Sequence, residues 1–413
     1  MKKVLTVAIL GAGSRGADSY GKLMNEDPRF KIVALCDIRK TKIDRFQEVF
    51  NVPQENCFLD ENDFFKTKLA DVCVIATQDK DHVRHCLKAL ELGYDILLEK
   101  PITPVLDECY QLIEAQKKYG GKVIVCHVLR YAPLYKKLDE IIDSGKIGRL
   151  IDIHAIENVG YWHMAHSFVR GNWRSSKNST PMIMAKCCHD LDLIQHFAKS
   201  RYKHVSSVGG LTFFKKENQP DGASDRCSTC KYKDTCPYSA YRLYIERWKK
   251  VQGQSENCWP QNVITSTVPL TEEALKKAIE ETYYGQCVFA CDNDVVDHQE
   301  TNILFENGVT ANLLMTGFTH ECGRRYTFHG TYGEIIFDEI NSKLELYVYG
   351  EEPEIIPFSI IADVNGGHGG GDVGLVQDLY DVFVLNKPAT TTLEESLESH
   401  IIALKAEEDR LSH

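Results

Sequence analysis

No stretch of this 413-residue chain approaches the roughly 20 consecutive apolar residues that a membrane-spanning helix requires, so a helical integral membrane protein is excluded. Positive charge is also short: 48 Lys and Arg stand against 59 Asp and Glu, for a formal net charge of -11. Such a surface offers little to nucleic acid or to an anionic membrane, and neither is expected as a partner. The opening MKKVLTVAILGAGSRG carries two lysines before an apolar run, but the run flows straight into a glycine pattern and does not read as a secretory leader. What the chain has in quantity is cysteine, 15 residues of it, and without an export signal these are expected to be free or metal-bound in a reducing cytoplasm. Apolar residues at 43% and charged residues at 26% are the proportions of a globular protein, and the length suits two domains.

The first 127 residues read as a dinucleotide-binding unit. KVLTVAILGAGSRGADSYGKLM gives a buried strand, a turn carrying Gly11, Gly13 and Gly16, and a helix whose N-terminus can receive a pyrophosphate; Ser14 and Arg15 lie in the same turn. A second apolar strand, FKIVALCD, ends in Asp37, placed to accept from the adenosine ribose hydroxyls. An acid there favours NAD and repels the 2'-phosphate of NADP, although Arg39 and Lys40 soften the penalty. ADVCVIAT, YDILLEKP and KVIVCHV continue as strands between the helical DHVRHCLKALELG and VLDECYQLIEAQKKYG. This alternation specifies a doubly wound parallel sheet whose ligand lies at the carboxyl ends of the strands. Thr77, His82, Glu99, Lys100 and His127 fall at or just after such ends.

Glycine turn, Asp37, Glu99-Lys100-Pro101, RYAPLYKKLDEIIDSGKIGRL and the later CCHDLD together resemble the glucose-fructose oxidoreductase and inositol dehydrogenase (Gfo/Idh/MocA) family over nearly the whole chain. The resemblance implies an N-terminal Rossmann domain and a C-terminal α+β domain, here residues 128–413, with a large open, mainly antiparallel sheet. It implies NAD(P)-dependent hydride transfer at a secondary hydroxyl of a sugar or polyol, and assembly through sheet faces as a homodimer or homotetramer. It also carries catalytic roles onto Lys100, as the lysine of the EKP motif, and onto His189. The family commonly has an aspartate four residues before this histidine; here the position is Ala185, and Lys186 follows it. Lys186 is therefore a candidate second positive charge. A redox-neutral glycosidase or lyase that oxidises its substrate transiently is the alternative reaction, and a cofactor-binding regulator without turnover is a third reading.

Lys186-Cys187-Cys188-His189-Asp190 could in principle be a metal site, a thiol nucleophile or a proton relay. Adjacent side chains rarely converge on one tetrahedral ion, so the cysteines are expected to pack and His189 to act as base. Asp190 and Asp192 are expected to start the next helix, with Asp190 also a candidate substrate contact. ENVGYWHMAHSFVRGNWRSSKNST, rich in aromatic and donor side chains, nominates His163 and Arg170 for substrate binding; His298 and the glycine-flanked His368 join them, and Asp372 is expected to cap a helix. An insertion at about 214–290 holds Cys227, Cys230 and Cys236 in a spacing suited to a structural zinc, with Cys258, Cys287, Cys291 or a histidine as fourth ligand.

Overall fold

The structure, a computed structural model, describes residues 3–251, 259–267, 269–358 and 368–413. Leu5–Leu10 (β1), Phe30–Cys36 (β2), Cys57–Phe58 (β3), Val72–Ile75 (β4), Asp95–Leu98 (β5) and Val123–Val125 (β6) form one parallel sheet in the order β3-β2-β1-β4-β5-β6. β1 and β4 are buried almost without a break, as strands covered on both faces must be.

Leu150–Asn158 (β7), Tyr202–Gly210 (β8), His298–Phe305 (β9), Thr310–Thr316 (β10), Gly323–Gly330 (β11), Gly333–Asp338 (β12), Lys343–Val348 (β13) and Glu354–Ile355 (β14) form a second sheet. Its order is β14-β13-β12-β11-β7-β10-β9-β8, antiparallel except where β7 lies beside β10. Buried and open positions alternate along β9, β10 and β11, the signature of a sheet with one face on a core and one outside. Asn307 and Gly308 turn β9 into β10, with Gly308 at φ +87°, a conformation glycine adopts without a Cβ penalty. The cysteine-bearing insertion leaves after β8 and returns before β9 as short helical pieces.

The C-terminal segment packs on both sheets: Ile402, Ala403 and Ala406 lie in the core under the second, while earlier residues reach the first. Helix Gly371–Leu385 contributes Leu375, Val376, Leu379 and Tyr380 to the core on one face of the parallel sheet, with Phe46 and Ile9. Helix Leu393–Leu411 places Leu393 and Leu397 in the core on the other face, with Leu90 and Leu112. Among the described residues no helix is long and apolar enough to cross a membrane.

His400, on that last helix, is buried against the main chain of Thr103, just after the Lys100–Pro101 bond. Burial pushes its imidazole down to about 4. A histidine in the unfolded chain titrates near 6.5, so between about pH 6.5 and 4 the unfolded form takes up a proton that the folded form refuses, and stability falls as the pH falls through that window. His400→Gln should therefore lose less of its melting temperature than the parent between about pH 7 and pH 5. An equal loss would assign the acid sensitivity to other groups.

Candidate active site

The glycine turn is shaped by close backbone approach. Gly11 has φ +95°, and a Cβ there would lie 2.4 Å from the Ala76 carbonyl oxygen; a Cβ on Gly16 would lie 2.1 Å from the Gly11 oxygen. Beside Gly13, by contrast, the nearest atom a Cβ would meet is an Arg39 nitrogen at 3.9 Å. The wide helical turn Ser14–Gly21 begins immediately after, so its first N–H groups face this opening, which suits a pyrophosphate. Asp37, buried at the end of β2, accepts from the Arg39 main-chain N–H at 2.9 Å and from its guanidinium at 3.4 Å, both through Oδ1; Oδ2 takes part in neither bond. The cradle and the acid together fit a dinucleotide with free ribose hydroxyls. Thr77 and His82 act as braces: the Thr77 hydroxyl meets His85 Nδ1 at 3.0 Å, and His82 sits 2.8 Å from the Pro101 carbonyl and 3.3 Å from that of Thr77.

Glu99, at the end of β5, is buried and accepts from Arg15 at 2.8 Å, from the Tyr20 hydroxyl at 2.7 Å and from the Lys100 main-chain N–H at 2.8 Å. Burial acts to raise its pKa, but Arg15 and Lys100 outweigh it and hold the carboxyl below its ordinary range. The other edge of the Arg15 guanidinium donates twice to Asp372, at 2.8 and 3.0 Å. One expectation is thereby revised: Asp372 serves less as a helix cap than as the counter-ion of Arg15, its carboxyl held far down, against the effect of burial, by His368 and Arg15.

From this base the Lys100 ammonium reaches out and donates to the main-chain carbonyl of Ala185 at 3.2 Å. The residue that lacks a carboxylate side chain thus supplies an acceptor from its backbone. His189 lies in the first turn of helix Cys188–Ala198, buried, its ring 6.0 Å from that of His127 and 5.8 Å from that of His368. Neither of its ring nitrogens finds a partner among the described residues. Burial first, then the charge of Lys100 and the nearby His368 and Arg324, push its pKa well below the usual value, so the imidazole is neutral and keeps a free lone pair.

Lys186 is buried and paired with Glu157 at 2.8 Å; Arg324 bridges Glu157 at 3.0 Å and Asp190 at 2.8 Å, and the Tyr326 hydroxyl donates to Asp190 at 3.0 Å. Two cations meet two carboxylates here. Asp190 is taken up by Arg324 and Tyr326 and is not open to a ligand, unlike the sequence expectation; burial pushes its carboxyl up against the pull of Arg324. Sequence reasoning passed over Glu157 and Arg324, yet strand parity carries a signal: Ile153 and Ala155 share the inner face of β7 with Glu157, and Tyr326 and Phe328 share that of β11 with Arg324. A charged residue on an otherwise apolar face calls for a partner. Cys187 and Cys188 are buried with their thiols pushed up, Cys188 to about 11, as packing groups would be.

His163 is half-buried, stacked on Trp162 and edge-on to Trp259 at 4.8 Å. Burial, then Lys186, His166 and Lys100, lower its pKa well below normal, which puts it within electrostatic reach of the same pocket. His298 is bonded to Asp297 at 2.9 Å instead. Arg170 points into the insertion, donating to the Gln286 and Tyr238 carbonyls at 2.7 and 2.8 Å and meeting Cys227 Sγ at 3.7 Å. Arg226 adds bonds to the carbonyls of Ile279, Glu280 and Thr282. The expected zinc is not supported: among the described residues the Cys227, Cys230 and Cys236 sulfurs do not all come within 4.8 Å of one another, and Cys227 instead accepts from the Ala240 main-chain N–H. Arginine–carbonyl bonds do the stapling that a metal was expected to do. Cys258 lies outside the described residues.

Comparison with known proteins matches residues 5–127 to the NAD-binding Rossmann domain of the Gfo/Idh/MocA oxidoreductase family and residues 139–402 to that family's C-terminal alpha/beta domain. YteT of Bacillus subtilis is 24% identical over 91% of this chain and 88% of its own length. Inositol 2-dehydrogenase of Salmonella paratyphi B is 28% identical over 36% of this chain and 45% of its own. Among solved structures, an oxidoreductase from Agrobacterium radiobacter, in complex with NAD+, L-tartaric acid and magnesium, superposes with TM-score 0.70 at 13% identity, covering 99% of this chain and 97% of that one. Aldose-aldose oxidoreductase from Caulobacter crescentus gives TM-score 0.67 at 14% identity, covering 100% and 98%.

Loss of Arg15 would leave Glu99 and Asp372 buried without their shared cation. Hydrogen bonds to charged groups contribute about 1.5–3 kcal/mol, so Arg15→Met should cost at least about 2 kcal/mol in denaturant unfolding. Adding Asp372→Asn should recover part of the loss, because one unpaired charge is removed. A single variant as stable as the parent would show that the guanidinium is solvated rather than shared.

Proposed function

The chain belongs to the Gfo/Idh/MocA oxidoreductase family, and on that premise we propose that it transfers a hydride between a secondary hydroxyl of a sugar or polyol and NAD, with His189 as the proton-transferring group. The observation that carries this reading is His189 itself: a neutral, buried imidazole with both nitrogens unpartnered among the described residues, near enough to the Lys100 ammonium to feel its charge. NAD would be held by Gly11, Gly13 and Gly16, the N–H groups of Ser14 and Arg15, and Asp37, and would take up the hydride when bound.

The chain's own residues supply the rest. Hydroxyl oxidation requires a base within about 3 Å of the departing proton, and neutral His189 can accept it. Lys100, aimed by the Ala185 carbonyl and backed by Glu99, favours the negative charge that develops on the oxygen. Lys186 pairs with Glu157, which keeps that carboxylate from drawing the Lys100 ammonium away from the reacting oxygen. His163 and His368 border the pocket and are the assigned substrate contacts. The domain boundary is assigned near residue 127, the chain is assigned to the cytoplasm on its free described cysteines, and it is expected to form a homodimer or homotetramer.

His189→Ala should lower kcat by roughly 10²–10⁴ with NAD affinity intact, the usual range for a positioned base, and Lys100→Ala should lose comparably. Near-normal turnover of both variants against the sugar or polyol that the parent oxidises would sink the assignment. Asp37→Ser should erode the preference for NAD over NADP by about 10-fold or more, since the lost bond is to a charged acceptor worth about 1.5–3 kcal/mol. An unchanged cofactor ratio would make Asp37 a brace for Arg39 alone.

A further inference from the structure

Strand register gathers a second group of titratable side chains on the opposite face of the sheet that floors the active site. Along β7, Ile153, Ala155 and Glu157 point inward, so Asp152 and His154 share the outer face. β11 runs antiparallel beside it and sets His329 directly opposite Asp152. His329 Nδ1 lies 2.7 Å from Asp152 Oδ1, and His154 Nε2 lies 3.3 Å from that same oxygen. One donor atom from each of the three is within 4.8 Å of the other two. One strand further, Glu334 of β12 pairs with His329 in the ladder and brings a carboxylate oxygen to 3.6 Å from His329 Nε2.

We propose that Asp152, His154 and His329 bind a divalent first-row transition ion such as Zn²⁺, Co²⁺ or Ni²⁺, with Glu334 orienting His329 from behind. Two imidazoles and a carboxylate are the donors these ions prefer, whereas Mg²⁺ and Ca²⁺ favour oxygen ligands. The placement of Glu334 is a separate observation in favour: a metal-bound histidine characteristically gives its other ring N–H to a carboxylate, which fixes the tautomer. Coordination through Nδ1 requires the neutral tautomer whose single N–H is on Nε2, facing that carboxylate. The donors are fixed by ladder rungs rather than by a loop, so little ordering is needed to bring them together. Within one chain His154 is 60% exposed and His329 38%, so the remaining coordination positions open outward, to be completed by water or by a facing subunit. The competing description, a pair of surface His–Asp contacts, is weak and confers no metal affinity.

Co²⁺ titration of the full chain, stripped with chelator and desalted, tests this by stoichiometry and by visible absorption. The expected result is about one Co²⁺ per chain with weak ligand-field bands and no intense thiolate charge-transfer band. His154→Ala and His329→Ala should each weaken binding by more than about 100-fold and Glu334→Gln by about 10–100-fold, since loss of an outer partner alone has the smaller effect. Oxidoreductase activity, which draws on the other face, should be unchanged in all three and serves as the control for folding. A thiolate band, no binding, or variants with parental affinity would overturn the proposal.

Discussion

Glu99 is a buried carboxylate, and in a medium that solvates charge poorly such a group must be met by donors or lose its charge. Everything that positions the reacting groups follows from how this chain meets that demand. Arg15 comes from the glycine turn, Tyr20 from the helical segment behind it, and the Lys100 N–H from the strand's own continuation. Arg15 in turn needs a second acid, which Asp372 supplies from far along the chain. The glycine turn, Lys100 and the helix that carries Asp372 are thus tied to one carboxylate. A shift of any one of them would strand a charge in the interior.

A similar balance operates across the pocket. The family's usual aspartate is absent at Ala185, yet the ammonium of Lys100 is still met there by an oxygen. A backbone carbonyl carries no net charge, so it can aim the lysine without cancelling it. The true carboxylates, Glu157 and Asp190, are matched against Lys186 and Arg324 in a closed set. His189 therefore sits nearer to the Lys100 ammonium than to any carboxylate it could share a proton with. That circumstance, with burial, keeps its imidazole neutral.

Much of this was legible in the sequence because the signals were local. The glycine turn, the acid ending β2, and the Glu-Lys-Pro run each state their role within a few residues; the alternation of apolar runs specified the parallel sheet, and the family resemblance implied the second. The parts that were not legible depend on contacts between distant segments. Asp372 reads as a helix cap until Arg15 is seen to reach it across more than half of the chain. Arg170 reads as a sugar donor because it lies among aromatics, yet its helical segment turns it toward the insertion. The cysteine spacing suggested a metal because spacing carries no information about where the intervening loop points its sulfurs. Asp190 shows the same blindness: its partner Arg324 lies on another strand.

The parallel sheet takes its strands from the first third of the chain but part of its cover from the last residues, through helices Gly371–Leu385 and Leu393–Leu411. During synthesis the strands emerge from the ribosome long before these helices do. At roughly 5–20 residues per second, the interval between them lasts on the order of tens of seconds. Over that time the nascent Rossmann unit presents apolar surface that belongs under Leu379, Tyr380 and Leu397, and the Arg15 guanidinium waits for Asp372. The unit is contiguous as a sheet but not as a folding domain. Its completion waits on segments made long after its strands, and holding chaperones suit a nascent chain of this design over that interval.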